Sequence, residues 1–324
     1  MRGTIFAVLA CLTGLALGPS QALARDSYPD HPVTIVVPFA AGGSADVYAR
    51  ILAQELGKAT GQSFIVEDKP GAGAVIGTQY AAKAAPDGYT LLVISNTQTV
   101  NESLLKRRPY KLMRDFAPIA PINEAPLVLA VRSTLPAHSL ADLIRQAKAE
   151  PGKLNYASSG TGTPYNMAGE LFKHMAGVNI VHIPYKGSNE ARTDLLSGQV
   201  DMMFDAVSTM APLVAGGRVR ALGVTGKTRS AVLPDVPTMA EAGLPGYTAT
   251  LWLGLLAPKG TPKSVVDMLN REIGKIAQRE DIRAAWAKSG VTPMHMSPGE
   301  FTQFLRQDIV KWHEIVDAAH ISVN

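Results

Sequence analysis

Beyond Asp30 the chain alternates short apolar runs with longer amphipathic stretches. The run from Val33 to Pro38 is continuous and rich in β-branched residues, as a strand buried on both faces should be. A helical period follows, carrying Val47, Ile51, Leu52 and Leu56. Residues 63–68 (SFIVED) read as a second strand, residues 71–88 carry a helix, and residues 89–96 (YTLLVISN) read as a third strand. These predict the core of one lobe. A second series begins at residues 123–133 (NEAPLVLAVRS). A helix over LADLIRQAKAE, broken by Pro151 and Gly152, leads to strand and loop in KLNYASSGTGTP. The next helix, YNMAGELFKHMAG, places Met167, Leu171, Phe172 and Met175 on one face. NIVHIPYKG (strand and loop), SNEARTDLLSG (helix), QVDMMFDA and RVRALGVTG (strands) complete the series. Two or three amphipathic helices are expected from Pro262 to the end, the placement of FTQFLRQDIVKWHEIVDAA being open. Such alternation predicts an α/β fold with mostly parallel sheets flanked by helices.

Only the N-terminus departs from this alternation. Arg2, the apolar run TIFAVLACLTGLALG and then Ala22-Leu23-Ala24 have the order of a cleaved secretory signal peptide over residues 1–24. VLAC at residues 8–11 has some likeness to a lipoprotein cleavage site, but the Ala-x-Ala that follows is the better match. No later segment approaches the roughly 20 apolar residues of a membrane span. Export would place the mature chain in the periplasm with 324 − 24 = 300 residues, enough for two lobes. Cys11 is the sole cysteine, so the mature chain would hold no disulfide, thiol nucleophile or cysteine-ligated metal and would depend on its core. Without Arg2 the net charge is 30 − 27 = +3. That excess is too mild for a nucleic-acid partner and is compatible with an anionic ligand.

Each series carries a strand-to-helix turn of the same chemical type. In the first, Gly42, Gly43 and Ser44 open a helix, with Ser44 read as its N-cap and Asp46 in its first turn. In the second, Ser158, Ser159, Gly160, Thr161 and Gly162 precede Thr163, a good N-cap, and Pro164 stands at the favoured first helical position. Helix N-termini expose unpaired N–H donors and a partial positive charge, glycine lets a ligand approach the backbone, and hydroxyls add donors. Loop geometry alone also calls for such residues, but one turn in each half favours a clamp for a small anion. Lys186 in Tyr185-Lys186-Gly187 is either a charge partner for the ligand or a solvated lysine, and Ser188 is read as capping the next helix. Asp205 either accepts an ammonium, orients Lys186, or caps local backbone. Ser95 and Asn96 end the third strand at the same edge as Gly42.

Other motifs point elsewhere and are weaker. Residues 221–228 satisfy a relaxed phosphate-loop pattern, but that loop must lead into a helix at Lys227-Thr228, and the segment after it, with Pro234 and Pro237, has no helical period. Gly71, Gly73 and Gly77 follow a strand and open a helix in the manner of a dinucleotide fingerprint. The last spacing is one residue too long and no acidic residue ends the next strand, so close helix–sheet packing explains these glycines better. His31, His138, His174, His182, His295, His313 and His320 show no metal-ligand spacing beside a carboxylate, and no Gly-x-Ser-x-Gly elbow is present. No metal and no cofactor are therefore expected, and catalysis is disfavoured, although a triad assembled only in three dimensions would leave no trace in the sequence.

The segments YPDHPVTIVVPFAAGGSADVYAR, VEDKPGAGAVIGTQYAAKAAPDGYTLL, DFAPIAPI, ASSGTGTPYNMAGELF, PYKGSNEARTDLLSGQVDMMFD and LPDVPTMAEAGLPGY together resemble the Bug family, the extracytoplasmic solute receptors of tripartite tricarboxylate transporters. The resemblance covers nearly all of the mature chain, in order. It implies a two-lobed periplasmic binding protein of the second structural type, not an enzyme, whose lobes close on a small carboxylate like a hinged trap. The lobes would divide into residues 25–122 with 224–324, and residues 123–223. The family's first loop falls on Phe39, Ala41, Gly42, Gly43 and Ser44 and its second-lobe loop on Ser159, Gly160, Thr161 and Gly162, which hold a carboxylate partly through ordered water. Asp205 ends a strand whose family counterpart reaches the cleft. The implied partners are the ligand and the membrane permease subunits, with the receptor itself a monomer. Residues 95–116 depart from the family's shorter run, and Arg107, Arg108 and Lys111 raise the question of whether this segment touches the cleft rim. A sensor feeding a signalling partner, or an α/β enzyme, are the rival readings.

Overall fold

A computed structural model describes residues 28–318 and Ile321. The expected leader over residues 1–24 lies outside the described residues. In chain order the elements are β1 (Val33–Val37), α1 (Ser44–Thr60), β2 (Phe64–Asp68), α2 (Val75–Ala82), β3 (Thr90–Ser95), α3 (Asn96–Leu104), α4 (Leu112–Asp115) and β4 (Phe116–Arg132). Then come α5 (Leu140–Ala149), β5 (Asn155–Ser158), α6 (Pro164–Ala176), β6 (Val181–Pro184), α7 (Ser188–Ser197), β7 (Met202–Ala206), α8 (Val207–Ala215) and β8 (Val219–Val224). The chain finishes with β9 (Thr250–Pro258), α9 (Lys263–Gln278), α10 (Glu280–Ala287), β10 (Thr292–Pro293) and α11 (Pro298–Ala318).

The strands form two sheets that share β4. In the first, β2, β1 and β3 run parallel, and β9 and then β4 join antiparallel. In the second, β5 lies parallel to β6 and to β7, while β7 and β8 pair antiparallel with the C-terminal part of β4. The parallel pairing expected from the alternation holds for the βα units; β4 and β9, which connect the two halves, make each sheet mixed. β4 is longer than the strand expected from Asn123 because three prolines disguise its start. Pro118 and Pro121 sit where its register against β9 shifts, where a missing N–H is tolerated. Up to Pro126 β4 faces β9, and from Leu127 onward it faces β7. The returning segment is stapled to this switch by Thr225, whose buried hydroxyl accepts from Leu127 N at 2.7 Å and donates to Ala249 O.

Apolar stripes of the helices cover both sheets. α1 buries Tyr48, Leu52 and Leu56 with the alanines between them, whereas Val47 is 43% exposed. The alanines Ala45, Ala49 and Ala53 set the phase of the buried face, which is why Val47 falls off it. Gly61 ends α1 in the left-handed conformation (φ 77°). α3 has no apolar period: Asn96, Thr97, Gln98, Thr99 and Asn101 are all buried. The last helix, α11, lies against this polar helix and the first sheet. Its Asp308 accepts from Thr99 Oγ1 at 2.5 Å, and its Trp312 and Val316 cluster with Val100 and Leu104 of α3 and Met167 of α6.

Candidate functional site

The loops at the C-terminal ends of β1, β3, β5 and β6 converge on a cleft between the two sheets. One wall is built by Phe39 and Ala40 after β1, Gly43, Ser44 and Ala45 at the start of α1, and Ser95 at the end of β3. Leu251 and Leu253 complete it from β9, two residues apart and so on one face of the strand. The facing wall holds Ser159, Pro164 and Tyr165 from the β5–α6 turn, and Lys186, Gly187 and Ser188 from the β6–α7 turn.

Four helix N-termini meet at this cleft, and they differ in capping. α3 is capped by Ser95, whose hydroxyl accepts from Thr97 N at 3.2 Å while Gln98 Oε1 accepts from Ser95 N. α6 is capped by Thr163, as its sequence predicts, with Asn166 Oδ1 also accepting from Gly162 N at 2.9 Å. α1 and α7 have no side-chain cap: their N-cap residues are Gly43 and Gly187, both in extended backbone. Ser44 and Ser188 are thus the first helical residues rather than the caps expected of them. Displaced inward by one position, Ser44 is 5% exposed, and its Oγ has no hydrogen-bond partner among the described residues. The Tyr165 hydroxyl faces Ser44 and Ser188; burial, reinforced by the Asp205 charge, raises it well above the ordinary tyrosine range.

Several of the other expected site residues stand behind the wall. Gly42 N donates to Asp46 Oδ2 at 2.8 Å, so that donor is occupied, and Ala41 O accepts from Asn189 Nδ2 at 3.1 Å. Asn96 Oδ1 accepts from Trp252 N, tying α3 to β9. Gly160 N donates to Ser158 Oγ, and Thr161 and Gly162 meet the other half of the molecule rather than the cleft. Asp205 is fully buried against Arg192 (Nε–Oδ2, 3.0 Å), Ala206 N and Thr209. Burial raises its carboxyl to about 6 against the opposing pull of Arg192. It therefore neither touches Lys186 nor reaches the cleft. Phe39, Gly43, Ser44, Ser95, Ser159 and Lys186 are the expected residues that line it. Pro164, Tyr165, Gly187, Ser188, Leu251 and Leu253 line it without having been singled out for that role.

The glycines have a second use. A Cβ on Gly42 would lie 2.6 Å from Asn189 Nδ2, and one on Gly187 would lie 2.9 Å from Ala40 Cβ. On the other flank, a Cβ on Gly73 would lie 3.0 Å from Thr161 O, and one on Gly162 would meet Leu104 and Asn101. Bare backbone thus lets the two halves approach on both sides of the cleft. Asn189 is held in turn by Arg192 Nη2 at 2.6 Å, so a chain of contacts runs from Asp205 through Arg192 and Asn189 to Ala41.

Remaining motifs resolve structurally. Lys227 and Thr228 lie in a bend with no helix after them, which removes the phosphate-loop reading. Gly77 packs where a Cβ would sit 2.7 Å from Lys69 O and 2.8 Å from Pro38, the close helix–strand contact expected of it. Arg108 is bound to the Glu102 carboxylate and to the backbone carbonyls of Glu102 and Leu105 at the end of α3, and it does not line the cleft. Ser158 Oγ contacts His182 Nε2 at 2.7 Å, but Ser158 is fully buried and also bonded to Gly160, so this pair presents no nucleophile to the cleft. Burial lowers His182 to about 4. Among the described residues no group of three or more His, Cys, Asp or Glu is placed to hold a metal, and no helix is long and apolar enough to cross a membrane.

A cleft walled by the strand-end loops of two α/β halves, with helix N-termini aimed into it, defines a solute-binding architecture. The family model described as the tripartite tricarboxylate transporter family receptor matches residues 48–321, and the chain belongs to that family. Protein BugT of Bordetella pertussis is 38% identical over 301 residues, covering 92% of each chain. Two structures from Rhodopseudomonas palustris show the same fold. Rpa4515, solved with adipate, aligns with a TM-score of 0.88 and 34% identity over 91% of this chain and 99% of its own. MatC, with bound malate, aligns with a TM-score of 0.85 and 32% identity over 89% of this chain and all of its own.

Proposed function

We propose that this protein is a periplasmic solute-binding receptor that encloses a small carboxylate between two lobes and delivers it to the membrane permease subunits of a tripartite tricarboxylate-type transporter. The observation that carries this reading is the cleft itself: loops from both halves close on one space, and the uncapped N-termini of α1 and α7 face into it. Unpaired N–H groups with a partial positive charge suit a carboxylate. Gly43, Ser44, Ser95, Ser159 and Lys186 are the binding residues of this proposal, with Phe39 supplying apolar wall. The carboxylate ligands of the two R. palustris structures support the same chemistry.

On this reading the two lobes are joined through β4, which passes from β9 to β7 near Pro126–Leu127, and through the returning segment at Thr225. The receptor acts without catalysis, as a monomer exported by its N-terminal signal peptide. Binding is driven by the extra contacts of the closed state rather than by either loop alone. The test is thermal-shift and calorimetric screening of refolded mature protein against mono-, di- and tricarboxylates, amino acids and nucleotides. Stabilisation by a carboxylate that is recovered chemically intact supports the receptor; stabilisation by nucleotides alone, or recovery of a changed compound, overturns it.

A further inference from the structure

We infer that the cleft selects a monoanion with an apolar body, its charged head lodged between the uncapped N-termini of α1 and α7. The inference rests on the receptor function proposed above and narrows its ligand class.

Four observations lead to it. First, the donors are concentrated at one place. α3 and α6 each satisfy a first-turn N–H group by a side-chain cap, Thr97 N by Ser95 and Asn166 N by Thr163, whereas α1 and α7 begin at bare glycines. Second, Ser44 Oγ, buried on the wall in the first turn of α1, makes no hydrogen bond within geometric limits among the described residues and has the Tyr165 hydroxyl as its polar neighbour. An unsatisfied buried hydroxyl is expected to find a partner, and a ligand oxygen supplies one. Third, among the described residues Lys186 is the one cationic side chain on the wall. The nearby arginines are engaged, Arg50 with Asp46 and Asp68 and Arg192 with Asp205. Fourth, among the described residues no carboxylate lines the cleft, and the two buried acids behind it are occupied, Asp46 by Gly42 N and Arg50, Asp205 by Arg192 and Thr209.

These facts set the ligand's charge at each end. One carboxylate fits between Ser44, Ser188 and Lys186. A second carboxylate would be partly desolvated against Phe39, Leu251 and Leu253 with hydroxyls such as Ser159 but no second cationic side chain among the described residues to meet it, and an α-ammonium would find no counter-charge. The remaining wall suits methylene or ring carbons.

The test is an isosteric series measured by isothermal titration calorimetry on the refolded mature protein: hexanoate, adipate, norleucine and hexanamide. They share a six-carbon skeleton and differ in the charged and polar groups it carries. Hexanoate should bind at least about 100-fold tighter than each of the other three, since each presents an uncompensated charge or lacks the one the site is built for. Ser188→Ala and Lys186→Met should each weaken hexanoate by roughly tenfold while the thermal midpoint is retained. Adipate or norleucine binding as tightly as hexanoate overturns the monoanion inference and leaves the carboxylate receptor standing. Hexanamide binding as tightly as hexanoate overturns the charged head. If no member of the series and none of the wider carboxylate panel binds, the receptor reading fails with it.

Discussion

Replacing Gly42 by alanine separates two roles that one glycine plays. Its φ of +76° is strained for any residue with a Cβ, at about 1 kcal/mol, and that strain is present whether the lobes are apart or together. It should lower the thermal midpoint by a few degrees without touching affinity. The second effect exists only with the lobes in contact. The new Cβ would lie 2.6 Å from Asn189 Nδ2, so the Asn189 side chain must swing away and release its 3.1 Å hydrogen bond to Ala41 O. A net hydrogen bond is worth about 1 kcal/mol, so ligand affinity should fall about fivefold, chiefly through faster dissociation. Asn189→Ala removes the same bond and should weaken binding equally, with the midpoint nearly unchanged. In the double variant nothing further is lost from the closed state. Its affinity should therefore be about fivefold below wild type, whereas independent effects would multiply to about 25-fold. Titration calorimetry on the four proteins, with the carboxylate that binds tightest in the panel above, completes the cycle. A multiplicative double variant, or an Asn189→Ala protein that binds as wild type does, would refute the cross-cleft contact.

Three other expectations address separate parts of the molecule. Gly43 has φ −80° and a Cβ there would meet only Ala40 O at 3.5 Å, so Gly43→Val should fold normally yet lose binding by more than about 100-fold, read by calorimetry beside circular dichroism. Lys227→Ala should leave ligand affinity unchanged, and a clear loss in the same titration would return the phosphate-loop reading. Because burial depresses His182 from 6.5 to about 4, the native state resists protonation there, and its stabilising contribution is lost as the pH falls through that window. Allowing for partial solvent screening this amounts to about 2 kcal/mol. Asp205, raised from 3.8 to about 6, acts in the opposite sense, gaining stability as the pH falls through its own window. Urea denaturation at pH 4.5 and 7 should show His182→Gln losing less stability on acidification than wild type, and Asp205→Asn losing more.

Much of the scaffold was legible because its signals are local. Thr163 and Pro164 announce the start of α6 by capping chemistry alone, and the apolar run of β3 is buried on both faces as its continuity implies. Legibility failed where tertiary context decides. α3 is a buried helix made of amides and hydroxyls, so no periodicity marks it. α8 carries Pro212 in its interior. The wall residues Leu251 and Leu253 lie in an apolar run that carries no site motif, and only the packing of β9 beside β3 brings them to the cleft. At the glycine turns the chemistry was readable and its placement was not. The extended backbone of Gly43 and Gly187 moves each following serine from cap to first helical residue. The other glycines, Gly42, Gly73 and Gly162, face the opposite half rather than a ligand.

The most direct measurement is a crystal structure of the mature protein with the tightest-binding carboxylate. The carboxylate should lie between the two lobes within hydrogen-bond reach of Ser44 Oγ and the first-turn N–H groups of α1 and α7. A ligand found outside this cleft, or within it but with its carboxylate turned towards Leu251 and Leu253, would contradict the binding site described.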